Sequence, residues 1–119
     1  MIIGVGVDMV DIERFEGQIV RSPRLMERLF TPHERELPLR SLAARYAAKE
    51  SLIKALGGSD GVFWQEIEVP RLGERQAPNY KISGETAATL EGRGVIRTHL
   101  SLSHDGGLAL AYTILEGGI

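Results

Sequence analysis

Residues 41–56 constrain the fold more than any other stretch, because as a helix they offer no face suited to water. At about 100° per residue, Leu42, Tyr46, Leu52, Ile53 and Leu56 form one apolar arc, and Arg45 and Lys49 fall inside it. The opposite arc carries Ala44, Ala47, Ala48, Ser51 and Ala55, small residues suited to close packing. Glu50 and Lys54 lie at the boundary, one turn apart on the same side. Charges on a helix ordinarily make a solvated face. Here that face is missing, so these charges are expected to serve something other than solubility. The Ala- and Leu-rich composition favours helix, and Gly57-Gly58 supplies the stop.

The remaining elements follow from periodicity and punctuation. Residues 2–8 read as a buried strand ending at Asp8, without the basic start of a signal peptide. Ile12, Phe15 and Ile19 then recur at helical spacing, with Asp11 as N-cap. Ser22-Pro23 is expected to open a short helix carrying Leu25, Met26, Leu29 and Phe30. Thr31-Pro32-His33-Glu34 reads as a capping box, with Glu34 at N3. Strands are expected at 66–72 and 79–83, a short helix at Glu85–Arg93, and a hairpin of strands 95–103 and 108–115 turning at His104-Asp105-Gly106-Gly107. The class is α+β in a single domain spanning 1–119, with helices mostly in the first half.

Strand 95–103 alternates Ile96, Thr98, Leu100 and Leu102 with Arg97, His99, Ser101 and Ser103, and its polar face runs into His104. Hydroxyls and an imidazole at a strand end suit phosphate binding, although a half-exposed strand with a turn histidine gives the same pattern. Strand 108–115 is apolar on both faces, which requires a central place in the sheet or cover from another subunit. Asp8 ends an apolar strand at what would be the rim of a sheet, where an aspartate more often caps a helix or turn. Paired with Glu50, it could hold a hard cation whose shell is completed by water and phosphate oxygens. Arg14, Arg21, Arg24 and Arg28 gather in the two helices after Asp8, interspersed with Glu13, Glu16 and Glu27. They serve either as structural ion pairs or as a docking patch for an acidic partner.

Composition narrows the chemistry further. The chain has no cysteine, which excludes disulfides, thiolate zinc sites and cysteine nucleophiles and fits a reducing cytoplasm. Any metal must be held by carboxylate, imidazole or other oxygen donors, and carboxylates favour Mg²⁺ or Mn²⁺. The formal net charge of -2 argues against a general nucleic-acid binder. Apolar runs such as Leu108–Tyr112 are far too short to cross a membrane. P-loop, Gly-x-Ser-x-Gly and His-Glu-x-x-His motifs are lacking, and Gly4-x-Gly6 is too short for a dinucleotide fingerprint.

Three segments, in order, resemble the holo-acyl-carrier-protein synthase family of phosphopantetheinyl transferases: Gly4-Val5-Gly6-Val7-Asp8, Arg45-Tyr46-Ala47-Ala48-Lys49-Glu50-Ser51 continuing to Lys54 and Gly57, and Leu100-Ser101-Leu102-Ser103-His104-Asp105. The resemblance spans nearly the whole chain, and its middle motif is the most specific. It implies an α+β fold with helices on a mostly antiparallel sheet and subunits assembling as a homotrimer, with active sites between them. It also implies that the protein moves 4′-phosphopantetheine from coenzyme A to a serine of an apo acyl carrier protein in fatty acid biosynthesis, releasing adenosine 3′,5′-bisphosphate. The carrier would be a free protein or a domain of a fatty-acid synthase, and the setting cytoplasmic, with neither nucleic acid nor membrane involved.

By the same resemblance, Asp8 and Glu50 match the carboxylates for Mg²⁺, and Lys54 the lysine near the diphosphate. Arg45, Ser103 and His104 match positions around the nucleotide phosphates, and Arg14, Arg21 and Arg24 the surface that receives the carrier. Asp8, Glu50 and Lys54 would carry the catalysis, with Glu50 or a water held by Glu34 as general base. The chain departs from the family pattern in a short Thr31–Arg45 stretch, in Tyr46 where phenylalanine or tryptophan is usual, and at 73–79, which lacks the usual turn motif. Readings in other classes are a non-catalytic module that docks an acidic domain, a Mg²⁺-dependent enzyme of small nucleotides, and a structural trimer.

Overall fold

A computed structural model describes residues 1–71, 73 and 75–118. Strand β1 (Ile2–Asp11) leads into α1 (Ile12–Arg21) and α2 (Arg24–Leu29), and the long helix α3 (Leu39–Leu56) follows. Short strands β2 (Ile67–Glu68) and β3 (Lys81–Ile82) precede α4 (Gly84–Gly92), and the hairpin β4 (Val95–Asp105) and β5 (Leu108–Gly117) closes the chain. The main sheet is antiparallel with order β1-β5-β4, and β2 and β3 form a separate antiparallel pair.

The small arc of α3 lies directly on this sheet. Ala47, Ala48 and Ser51 are fully buried there, and glycines in β1 take up the facing positions. A Cβ at Gly6 would collide with the Ser51 carbonyl oxygen, and one at Gly4 with that of Ala55. Side chains alternate along a strand, so Gly4, Gly6 and Asp8 point the same way. The backbone contact that requires the glycines therefore brings Asp8 beneath the last turns of α3. On the helix's other side Leu42 and Leu52 are fully buried, each contributing about 1.5–3 kcal/mol. The helix ends at Gly57, whose φ of 83° is a left-handed conformation that favours glycine.

β5 is central in the sheet and has two unlike faces. Ala109, Ala111, Thr113 and Leu115 are buried on the α3 side, while Leu108 and Tyr112 are exposed on the other. The register pairs Val7 with Tyr112 and Val5 with Ile114, so β1 extends this open apolar face through Ile3, Val5, Val7 and Met9. On the same face, across β5 from β1, lies the polar side of β4, where His99 pairs with Ile114 and its Nε2 meets Glu116 Oε1 at 2.8 Å.

Several sequence expectations change at their edges. Asp11 caps α1, accepting from the Arg14 amide at 2.9 Å, yet β1 runs on to this residue. Ser22 does not cap α2. Its amide closes α1 on the Gln18 carbonyl, its own carbonyl accepts from Leu25, and α2 begins at Arg24. Phe30 lies beyond α2 in extended backbone, fully buried. The capping box at Thr31 forms reciprocally, but over a 3₁₀ turn at Glu34–Glu36.

The strands expected at 66–72 and 79–83 shrink to β2 and β3, and Leu72 lies outside the described residues, as does Glu74 of the 73–79 segment. Side chains take the ladder's place: Glu34 Oε2 accepts from the Val69 amide at 2.9 Å, and Arg45 Nε donates to the Val69 carbonyl at 2.9 Å. Pro70 has no amide to offer a partner.

Candidate active site

One face of α3 and the end of β1 bound a cavity of about 350 Å³, lined by Asp8, Tyr46, Glu50 and Lys54 together with Arg14, Phe15 and Gln18 of α1. Helical spacing places Tyr46, Glu50 and Lys54 one above another along this wall. Lys54 Nζ donates to Asp8 Oδ1 at 2.9 Å and to the Val7 carbonyl at 3.1 Å, fastening the helix to the strand end. Its side chain is 54% exposed, so the charge stays available to a ligand. Glu50 has its proton affinity raised, first by partial burial and then by the charge of Asp8; the neighbouring Tyr46 hydroxyl and the charge of Lys54 oppose the rise.

Asp8 and Glu50 at one cavity are oxygen donors of the type that a hard divalent cation takes, and a cation there would offset the charge of Asp8 that opposes ionisation of Glu50. Among the described residues no group of three or more acidic or histidine side chains comes together to hold a metal. The protein would thus supply two oxygen ligands and leave the others to water and phosphate, the usual arrangement for Mg²⁺. The fit is one of charge and donor type.

In the sequence Tyr46 shows as part of an apolar arc and as a departure from the family pattern. It stands between Phe15, with ring centroids 5.4 Å apart, and Trp64, stacked at 5.7 Å and 10°. Burial first, and then the nearby Glu50, raise the pKa of its hydroxyl. Its position one turn before Glu50 was the available signal. Gln18 of the lining had none.

The two charges inside the apolar arc go elsewhere. Lys49 and Glu34 form a buried pair, Nζ to Oε1 2.6 Å, with side chains 0% and 1% exposed. Lys49 also donates to the Leu29 and Trp64 carbonyls, at 2.7 and 3.3 Å, and sits over the Phe30 ring. Glu34 accepts in addition from the Thr31 and Val69 amides, which engages both its oxygens. Glu34 is not among the residues that line the cavity. Arg45 donates to the carbonyls of Val69, Ser41 and Pro70, and burial lowers its pKa.

Ser103 and His104, at the far end of β4, are exposed and do not line the cavity of their own chain. Of the arginines in the two helices after Asp8, Arg14 lines the cavity, whereas Arg21, Arg24 and Arg28 border a second groove of about 390 Å³ at the α1–α2 corner.

Residues 4–113 match the model of the 4′-phosphopantetheinyl transferase superfamily, and the chain belongs to that family. It is 55% identical to a holo-[acyl-carrier-protein] synthase of Clavibacter michiganensis subsp. michiganensis, over 98% of each chain. Its structure resembles that of holo-[acyl-carrier-protein] synthase from Neisseria meningitidis, with a TM-score of 0.88 and 28% identity over 98% of this chain and 99% of the other. It also resembles a holo-(acyl-carrier-protein) synthase from Bacillus anthracis in complex with CoA (3′,5′-ADP), with a TM-score of 0.77 and 33% identity over 99% of each chain.

Proposed function

We propose that this protein is a holo-[acyl-carrier-protein] synthase, transferring 4′-phosphopantetheine from coenzyme A to a serine of an apo acyl carrier protein and serving fatty acid biosynthesis. The observation that carries the reading is the meeting of Asp8, Glu50 and Lys54 at one cavity in a chain of this family. Relatives named for the same reaction, and the coenzyme A complex of one of them, support it.

In this reading Asp8 and Glu50 would hold Mg²⁺, and the chemistry it would supply is neutralisation of diphosphate charge, which would ease departure of the leaving phosphate. The carrier serine oxygen forms a bond to the β-phosphorus as the bond from that phosphorus to the bridging oxygen breaks, releasing adenosine 3′,5′-bisphosphate. Glu50, whose affinity for a proton is raised, takes the serine proton directly or through water. Lys54 offers its exposed ammonium to the charge that builds on the transferring phosphoryl group.

The open apolar face of β1 and β5 supports assembly into a homotrimer. A site shared between subunits then gives the exposed Ser103 and His104 access to a neighbour's nucleotide phosphates, whereas Arg45 is held by the carbonyls of Ser41, Val69 and Pro70. Arg14, Arg21 and Arg24 receive the acidic carrier along α1 and α2. The single domain works in the cytoplasm, and no helix among the described residues is long and apolar enough to cross a membrane.

Intact-mass spectrometry of an apo carrier incubated with the protein, coenzyme A and Mg²⁺ tests the reading. The expected result is a gain of one phosphopantetheine, abolished by a chelator. Unchanged mass across several carriers, free and synthase-embedded, would overturn it in favour of a docking module.

A further inference from the structure

Asp8 reaches the cavity with its side chain only 15% exposed, so little of the carboxylate is open to a newcomer. Its Oδ1 accepts from Lys54 Nζ at 2.9 Å, and the same ammonium donates to the Val7 carbonyl at 3.1 Å. An ammonium has three donors, and two of them are engaged here at the strand end. A Mg²⁺ ion binds its oxygens at about 2.0–2.1 Å. A cation on that Asp8 oxygen would stand beside the Lys54 charge, and two positive charges so close repel. The lysine is able to yield. Its side chain is 54% exposed, runs on a flexible four-carbon stem, and lines the same cavity.

We propose that Lys54 and the divalent cation compete for the Asp8 carboxylate, and that the ammonium displaced from Asp8 is the one that turns to the phosphates. The inference rests on the metal-site reading above and goes beyond it by giving Lys54 a second effect, opposite in sign to the first. The residue that aids transfer also holds metal binding back. A lysine that served only the charge on the transferring group would leave metal affinity unchanged when removed. The prediction therefore separates the two effects: one substitution slows transfer and tightens the metal.

The test measures Mn²⁺ binding to the full chain by electron paramagnetic resonance, for the wild-type protein, Lys54→Met, Lys54→Gln and Arg14→Met, with thermal unfolding alongside. Arg14 lines the same cavity but makes no side-chain bond to Asp8 among the described residues, so it reports the effect of merely removing a nearby positive charge. Lys54→Met is expected to bind Mn²⁺ about ten-fold more tightly than wild type. Lys54→Gln should follow it, and either variant that keeps the wild-type melting temperature decides the matter. Arg14→Met is expected to gain much less, because its charge is exposed and screened. Affinity in the folded Lys54 variants that equals or falls below that of wild type would overturn the proposal and leave the metal site standing. An equal gain in Arg14→Met would overturn it too, since the effect would then be one of overall charge. Failure of every one of these proteins to bind Mn²⁺, with coenzyme A present as well as without, would remove the metal reading and this inference together.

Discussion

Lys49 and Lys54 stand on the same helix and each meets a carboxylate, in opposite circumstances. Lys49 is wholly buried against Glu34, and the backbone completes both partners: Lys49 donates to carbonyls and Glu34 accepts from amides. Lys54 is half exposed against Asp8, and near it Glu50 finds its own charge opposed by that of Asp8. The first pair is satisfied and sealed, and its task is to tie α3 to the segments at 29–34, 64 and 69. The second is open, and beside it lies a further carboxylate, Glu50, whose ionisation burial and the charge of Asp8 oppose. A motif that sets lysine and glutamate side by side thus divides its labour. One residue turns into the core to hold the helix, and the next turns outward to work.

The largest effect that could break this comparison comes from the buried pair. Lys49→Met leaves Glu34 charged and unpaired, and chemical denaturation is expected to show a loss of about 3–5 kcal/mol. Adding Glu34→Leu should recover part of it; no recovery would mean that the lysine contributes through packing and not charge.

At the open pair the stability and activity effects should part company. Lys54→Met is expected to cost at most about 1 kcal/mol of stability, since an exposed ion pair contributes little. Turnover in the carrier-labelling assay should nevertheless fall about 100-fold or more, the scale of a lost transition-state contact. A variant that unfolds but retains its specific activity would reverse the assignment of the two lysines.

The smallest effect concerns stability in the absence of metal. Folding raises the Glu50 pKa, so the native state binds its proton more tightly than the unfolded chain does. Above the ordinary carboxylate range this group therefore destabilises the native state, and the penalty builds as pH rises from the unfolded to the folded value. Glu50→Gln should accordingly melt slightly higher than wild type at neutral pH in chelator, with the advantage vanishing in acid. A lower melting point in chelator at neutral pH would show that Glu50 serves the fold instead.

The sequence conveyed the working half of this contrast better than the holding half. Asp8, Glu50 and Lys54 were legible because a strand end, a helical turn and an absent solvated face each leave a local trace. The partner of Lys49 was not, since Glu34 lies on a separate 3₁₀ turn and only its capping role shows in the local pattern. Arg45 carried the same signal as Lys49, charge within an apolar arc, and uses it to bind the backbone after β2. For the same reason β2 and β3 are shorter than their composition suggests: the hydrogen bonds of Val69 go to side chains supplied from distant segments. The open face of β5 could be read as two-sided, and only the sheet order separated its buried side from its exposed one.

The glycines of β1 have one more consequence. Where side chains separate two elements, a change of side chain resets the gap, and whatever the elements carry drifts with it. Here bare backbone rests on bare backbone at Gly6 and Ser51, so no side chain at that contact acts as a spacer. The distance between the strand end and the helical turn is set by peptide geometry, like a ruler built into the chain. The core elsewhere can exchange leucine for isoleucine or methionine over generations while Asp8 and Glu50 keep their separation.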